Sequence, residues 1–170
     1  MKIFSYWCNV KGYSQFDCAT ALKQNQKAMW VEKKMKTKCS CASAEICNCP
    51  YEQIDGHTYN SNIPIGFSVF SHLEGAITYT LQATVMSNTH SQFGWNTLVN
   101  EIRAGRPIML GFANTANSPY ASHMTVCVGY EIINGKYYVY VVDAHTSGYV
   151  KQEYNTEYND FMITVNIVAS

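Results

Sequence analysis

The stretch His123-Met124-Thr125-Val126-Cys127-Val128-Gly129-Tyr130-Glu131-Ile132-Ile133, then Asn134-Gly135, then Lys136-Tyr137-Tyr138-Val139-Tyr140-Val141-Val142-Asp143, decides the fold. β-branched and aromatic residues dominate both runs, and Asn-Gly suits a tight two-residue turn. The spacing predicts strands over 123–132 and 136–143 joined as a hairpin. Such a hairpin brings His123 and Asp143 to the same end of a sheet. Whether they share a face depends on the turn. A strict two-residue loop pairs Ile133 with Lys136 and sets Asp143 opposite Val126, away from the face of His123, Thr125 and Cys127. A loop one residue longer, or a bulge, sets Asp143 opposite Thr125 and restores a common face. A working His123–Asp143 pair requires one of these two.

Outward from the hairpin, Trp95, Leu98, Val99 and Ile102 mark one face of a short helix that Gly105 and Pro107 end. Residues 108–112, Ile-Met-Leu-Gly-Phe, read as a buried strand, and 161–168 as a final one. Residues 114–121 form a polar loop containing Pro119, and Thr146-Ser147-Gly148 makes another turn. Upstream the pattern is mixed. Leu73, Ile77 and Leu81 suit a helix, Thr78-Tyr79-Thr80 suits a strand, and 83–86 suits a short strand. Near the start, Asp17 is a suitable N-cap for a helix running from Cys18 to about Met35. Residues 39–59 have the composition of a loop. A helical front with an antiparallel sheet behind it is an α+β architecture. No repeat or linker divides the chain, so one domain is expected over 1–170.

Composition narrows the function. With 170 residues, 47% hydrophobic and 14% charged, the chain can bury a core without staples and is too apolar for disorder. Twelve basic residues balance twelve acidic ones, so nucleic acid is not an expected partner. Lys33, Lys34, Lys36 and Lys38 cluster, but read as a solvated helix face. No apolar run approaches the roughly 18 residues of a membrane span. Residues 1–7 lack the apolar stretch of a secretory signal. Either the protein stays inside the cell or the chain is a mature or excised domain, and export is favoured only in the second case. Nothing in the sequence fixes an oligomeric state.

Seven cysteines leave at least one thiol unpaired in a monomer. Cys18 falls at the first turn of the expected helix, where the helix dipole and free N–H groups favour thiolate. The same N–H groups can help to bind an oxyanion, and the Gln15 side chain can add a donor. A buried helix cysteine is the plainer reading of Cys18, and a surface histidine and a strand-ending acid the plainer one of His123 and Asp143. Cys8, after Trp7, is a rival nucleophile with a poorer helix start after it. Cys127 lies about 13 Å along the strand from His123 and reads as a core thiol. Cys39-x-Cys41 and Cys47-x-Cys49 are spaced tightly for zinc, which usually takes pairs two to four residues apart. Disulfides are the better reading there, with free thiols close behind. His57, His72 and His90 have no partner pattern, and His145 lies close to Asp143 without an assigned role.

Taken together, a cysteine at an N-terminal helix start, a histidine on a strand about a hundred residues later, and an acid on the next strand follow the order of papain-like cysteine peptidases. Glu101-Ile102-Arg103-Ala104-Gly105-Arg106-Pro107-Ile108-Met109-Leu110 resembles the segment of helix, Gly-Arg-Pro and buried strand in compact bacterial members. Ser122-His123 leading into an apolar run that ends Gly129-Tyr130 resembles their histidine strand, and Tyr138 to Asp143 resembles the strand carrying the acid. The relatives are bacteriocin-processing-like peptidases and short papain-like effector proteases. The resemblance spans about Leu98 to Gly148. Where the family commonly has Gly or Trp after the nucleophile and a Gln about six residues before it, this chain has Ala19 and Gln15. The resemblance implies a papain-like fold and a peptide or protein substrate, with no cofactor. It implies Cys18 as nucleophile, His123 as base and acid, Asp143 as its orienting group and Gln15 at the oxyanion. The loop 114–121 is the expected substrate wall. An amidase or acyl transferase using the same trio, and a catalytically degenerate domain that binds a partner, remain open alternatives.

Overall fold

Apolar alternation along the second half of the chain produces six strands: β1 (Tyr79–Ser87), β2 (Ile108–Phe112), β3 (His123–Ile133), β4 (Lys136–Val142), β5 (Val150–Glu153) and β6 (Phe161–Ala169). Helix α1 (Trp95–Arg103) stands between β1 and β2. The computed structural model describes residues 62–64, 79–143 and 145–169. The helix expected over 18–35 and the cysteine-rich stretch 39–59 lie outside them. The strands form one sheet in the order β1-β6-β2-β3-β4-β5, and every neighbouring pair is antiparallel. With α1 on one face, the architecture is α+β.

Short connections explain part of this order, since β2, β3, β4 and β5 follow one another in sequence and in space. β6 then returns to the other side of β2 and pairs along the whole of β1. On the α1 face, Ile108, Leu110 and Phe112 lie opposite Cys127, Thr125 and His123 respectively. All of these except His123 are buried, and they join Leu98, Val139, Val141 and Met162 in the core. Burying a side chain the size of Leu98 contributes roughly 1.5–3 kcal/mol, which is what holds so short a helix in place.

The end of α1 follows from its sequence. Gly105 adopts a left-handed φ of 68°, and the Arg106 N–H donates back to the Glu101 carbonyl at 2.9 Å. That is the exit that glycine makes cheap after a helix. Arg106 then pairs with the Glu101 carboxylate through two bonds of 2.7 Å. Pro107 follows and β2 begins at Ile108.

The hairpin settles the question of faces. Asn134 and Gly135 have φ of 50° and 78°, and Ile133 pairs with Lys136, so the turn is the tight two-residue kind. That alone would put Asp143 on the wrong face. The ladder, however, shifts between Cys127 and Gly129: Cys127 pairs with Val141, while Gly129 pairs with Tyr140. Val128 is the extra residue of a β-bulge. Beyond it Val126 faces Val142, and the next position, Asp143, falls opposite Thr125. His123 and Asp143 therefore share a face.

Two strands differ from expectation. The separate strand signals at Tyr79-Thr80 and at 83–86 belong to one strand, β1. β5, with the sequence Val-Lys-Gln-Glu, had no signal of its own. It is an edge strand whose backbone pairs with Tyr138 to Val141, and its half-exposed alternation is too short to stand out.

Candidate active site

β3 opens at His123, and the residue before it carries local strain. Ser122 has a φ of 51°, a region that side chains other than glycine and asparagine rarely occupy. This kink brings the 114–121 loop into the strand and leaves the imidazole half-buried at the sheet end.

Across the gap, Nε2 of His123 is 2.9 Å from the main-chain carbonyl oxygen of Asp143. A carbonyl can only accept, so this contact assigns the ring proton to Nε2 and leaves Nδ1 with its lone pair. The expected contact between the imidazole and the acid is thus made by the peptide group of Asp143 and not by its carboxylate.

The carboxylate is occupied elsewhere. Oδ1 accepts the backbone N–H of Thr146 at 2.9 Å, the Thr146 hydroxyl at 2.9 Å and the backbone N–H of His145 at 3.0 Å. Oδ2 accepts the Tyr120 hydroxyl at 2.9 Å. Asp143 is only 4% exposed, yet four donors converge on its two oxygens. The Thr146 N–H contributes most, and together the donors overcome burial and hold the carboxyl well below the usual carboxylate range. The group is an anion throughout the neutral range.

Aromatic rings surround the imidazole. Tyr120 lies 5.2 Å from His123 between ring centroids, and His145 lies 4.7 Å away. Tyr120 also meets the fully buried Phe112 edge-on at 4.9 Å, and Phe112 stacks on Tyr158 at 6.0 Å. The site is therefore anchored to the core through Phe112. Tyr120 carried no signal in the sequence: it sits in a polar loop, 23 positions from the carboxylate it bonds.

The remaining expected residues divide into two groups. Cys18, Gln15 and Cys8 lie outside the described residues, as do the four clustered cysteines, His57 and His72. Of those described, Cys127 is fully buried, donates its thiol to the Gly129 carbonyl at 3.4 Å and is pushed up by burial to about 12. It is a core thiol, as its position suggested. His90 accepts the Gln92 N–H in an exposed turn, far along the chain from His123. Asp160 stands before β6 with its carbonyl bonded to Asn88, and its buried Oδ1 has no partner among the described residues. Among the described residues no group of three or more His, Cys, Asp or Glu side chains could hold a metal ion. No helix among them is long and apolar enough to cross a membrane.

A cleft of about 620 Å3 lies at the other end of the sheet, near the hairpin turn. Phe93, Trp95, Tyr137 and Tyr154 line it together with the amides of Gln92, Asn96 and Asn155. None of the lining residues is charged or a histidine. Among the described residues it holds no group able to take or give a proton near neutrality, so its size alone does not make it a site of acid–base chemistry.

The model of a family described as "Peptidase_C39 like family" matches residues 8–164. No curated protein and no solved structure matches the chain.

Proposed function

The chain belongs to the Peptidase_C39 like family, within the papain-like cysteine peptidase superfamily, and from that premise we propose that it hydrolyses peptide bonds with Cys18, His123 and Asp143. The observation that carries the reading is the bulge at Val128, which sets His123 and Asp143 on one face with Nε2 held at 2.9 Å. An imidazole held this way keeps Nδ1 free as a base. Nδ1 takes the proton of the Cys18 thiol, and the thiolate attacks the carbonyl carbon of the scissile bond. The oxyanion that forms is met by the Cys18 N–H and the Gln15 side chain. The imidazolium returns its proton to the leaving amine, giving a free amino terminus and a thioester on Cys18. Water, giving its proton to Nδ1, then releases the acid. No cofactor enters these steps. The domain is taken as one papain-like unit over 1–170, with the 114–121 loop as a wall of the substrate groove.

Cys18→Ala tests the reading. Peptide hydrolysis should vanish while the thermal melting point stays that of the parent. An alkylating probe should label Cys18 rapidly and stop turnover at one equivalent. Full activity in Cys18→Ala, with loss in Cys8→Ala, would give the role to Cys8. Sluggish labelling without hydrolysis would favour a binding domain. Transfer to an added amine in place of water would favour an acyl transferase.

A further inference from the structure

Two struts cross the gap between the loop before β3 and the turn after β4. One is the bond from His123 Nε2 to the Asp143 carbonyl, and the other is the bond from the Tyr120 hydroxyl to Asp143 Oδ2, each 2.9 Å. They differ in what fixes their ends. The three donors on Oδ1 come from His145 and Thr146, within the turn itself, so they shape the turn without tying it to anything. Among the described residues Tyr120 supplies the single side-chain bond from outside the turn to the carboxylate. Its ring in turn is placed by the core, edge-on against Phe112, which is 1% exposed.

We propose that Tyr120 is a positioning residue: by holding the Asp143 carboxylate against the core it keeps the Asp143 carbonyl on Nε2 of His123. This rests on the proposed roles of His123 and Asp143. The hydroxyl suits the task. Burial first, and then its bond to Asp143, push its pKa above the ordinary tyrosine value, against an opposing pull from Gln152, so it remains a donor wherever a thiol enzyme works. The acceptor carries a full charge, and such a bond is stronger and more directional than one between neutral groups. The carbonyl it aligns is a better partner for imidazolium than for neutral imidazole, so alignment steadies the ring in the form that returns its proton to the leaving amine. Among the described residues the titratable groups that face His123 are Asp143, Tyr120 and His145.

Tyr120→Phe keeps the ring and removes the strut. It should lower kcat about tenfold, the scale of one lost bond to a charged group, with KM little changed. The alkaline limb of the pH profile should move to lower pH, because imidazolium is less well held. In a Cys18→Ala background, NMR titration of His123 should show the same downward shift without any activity being read. Tyr120→Leu, which also removes the ring, should lose more activity and lower the melting point. The proposal is overturned if Tyr120→Phe matches the parent in kcat and pH profile. It is equally overturned if kcat falls by one factor at every pH with His123 titrating unchanged, since that is a structural loss only. An upward shift of His123, as a carboxylate released to swing onto the ring would give, also overturns it. His123→Ala separates this from the reading beneath it: full hydrolysis in that variant removes the triad, whatever Tyr120→Phe does.

Discussion

The two ends of the β3–β4 pair are built from opposite materials. At the hairpin end Trp95 gathers Tyr130, Tyr137 and Tyr154, with centroids 5.7, 4.7 and 5.3 Å away, and the buried Tyr154 hydroxyl has no partner among the described residues. At the other end one carboxylate collects four donors, and a histidine rests on a peptide carbonyl. Rings cohere through area and tolerate small shifts, whereas a charge held by aimed donors fixes positions to a fraction of an ångström. The aromatic cleft is at the adaptable end, and the histidine and acid proposed for the reaction are at the rigid one.

Paired substitutions can break this contrast. Within these pairs the largest expected effect on activity is His123→Ala, which removes the base and should lower kcat about a thousandfold with the melting point little changed. Its counterpart Trp95→Ala should cost about 3 kcal/mol of stability while leaving kcat of the folded protein within about twofold. Steady-state rates beside urea unfolding curves measure both. Strong loss of kcat in folded Trp95→Ala would make the aromatic cleft part of the reaction.

Next comes Asp143→Asn, expected to lower turnover about tenfold, less than His123→Ala, because a thiol is already acidic and the peptide carbonyl remains. The alkaline limb of its profile should move to lower pH, as imidazolium loses a neighbouring negative charge. Stability separates the variant from the parent in acid. Asp143 has its pKa depressed on folding, so its contribution is complete above the unfolded value of about 4 and is lost as pH falls towards the native one. The parent should therefore lose urea stability below about pH 4 more steeply than the variant. Parallel curves would show that the four donors add nothing to the fold.

The smallest effect contrasts two left-handed residues, one at each end. Ser122→Gly should stabilise by up to about 1 kcal/mol, since serine at a φ of 51° is strained. Asn134→Gly, at a φ of 50°, should change stability by about zero, because asparagine accepts that region. Thermal melts of the two variants decide it. Equal gains would mean that strain is not concentrated beside His123.

What could be read in the sequence follows from how local each signal was. β2 has its expected bounds of Ile108–Phe112, because a run of large apolar residues between Pro107 and a polar loop leaves no other choice. α1 was legible from the spacing of Trp95, Leu98 and Ile102, and the hairpin from Asn134-Gly135. The bulge could be stated as a condition but not decided, since both registers bury a plausible face. Gly129 inside an apolar strand was the available hint, for glycine in a strand often marks a bulge. A Cβ on Gly129 would approach the Tyr140 ring at 3.3 Å. Tyr120 was out of reach, because its meaning depends on a contact between two loops that only the folded sheet brings together. The bond to the Asp143 peptide group was equally hidden, since side-chain identity says nothing about where a main-chain oxygen points.

The single extra residue at Val128 lets two fixed points coexist. Ile108 opposite Cys127 ties β3 to β2, while Asn134-Gly135 ties it to β4. Between those ties the chain is one residue longer than a straight ladder needs, and the bulge takes up the surplus. Flattening it with every residue kept would set Asp143 opposite Val126, and the acid would face away from the imidazole. Deleting Val128 would not do so: with the turn kept, Gly129 stays opposite Tyr140, Cys127 opposite Val141 and Asp143 opposite Thr125. What matters in this stretch of β3 is that Val128 stays out of the ladder, and a residue outside the pairing sets which face the acid takes.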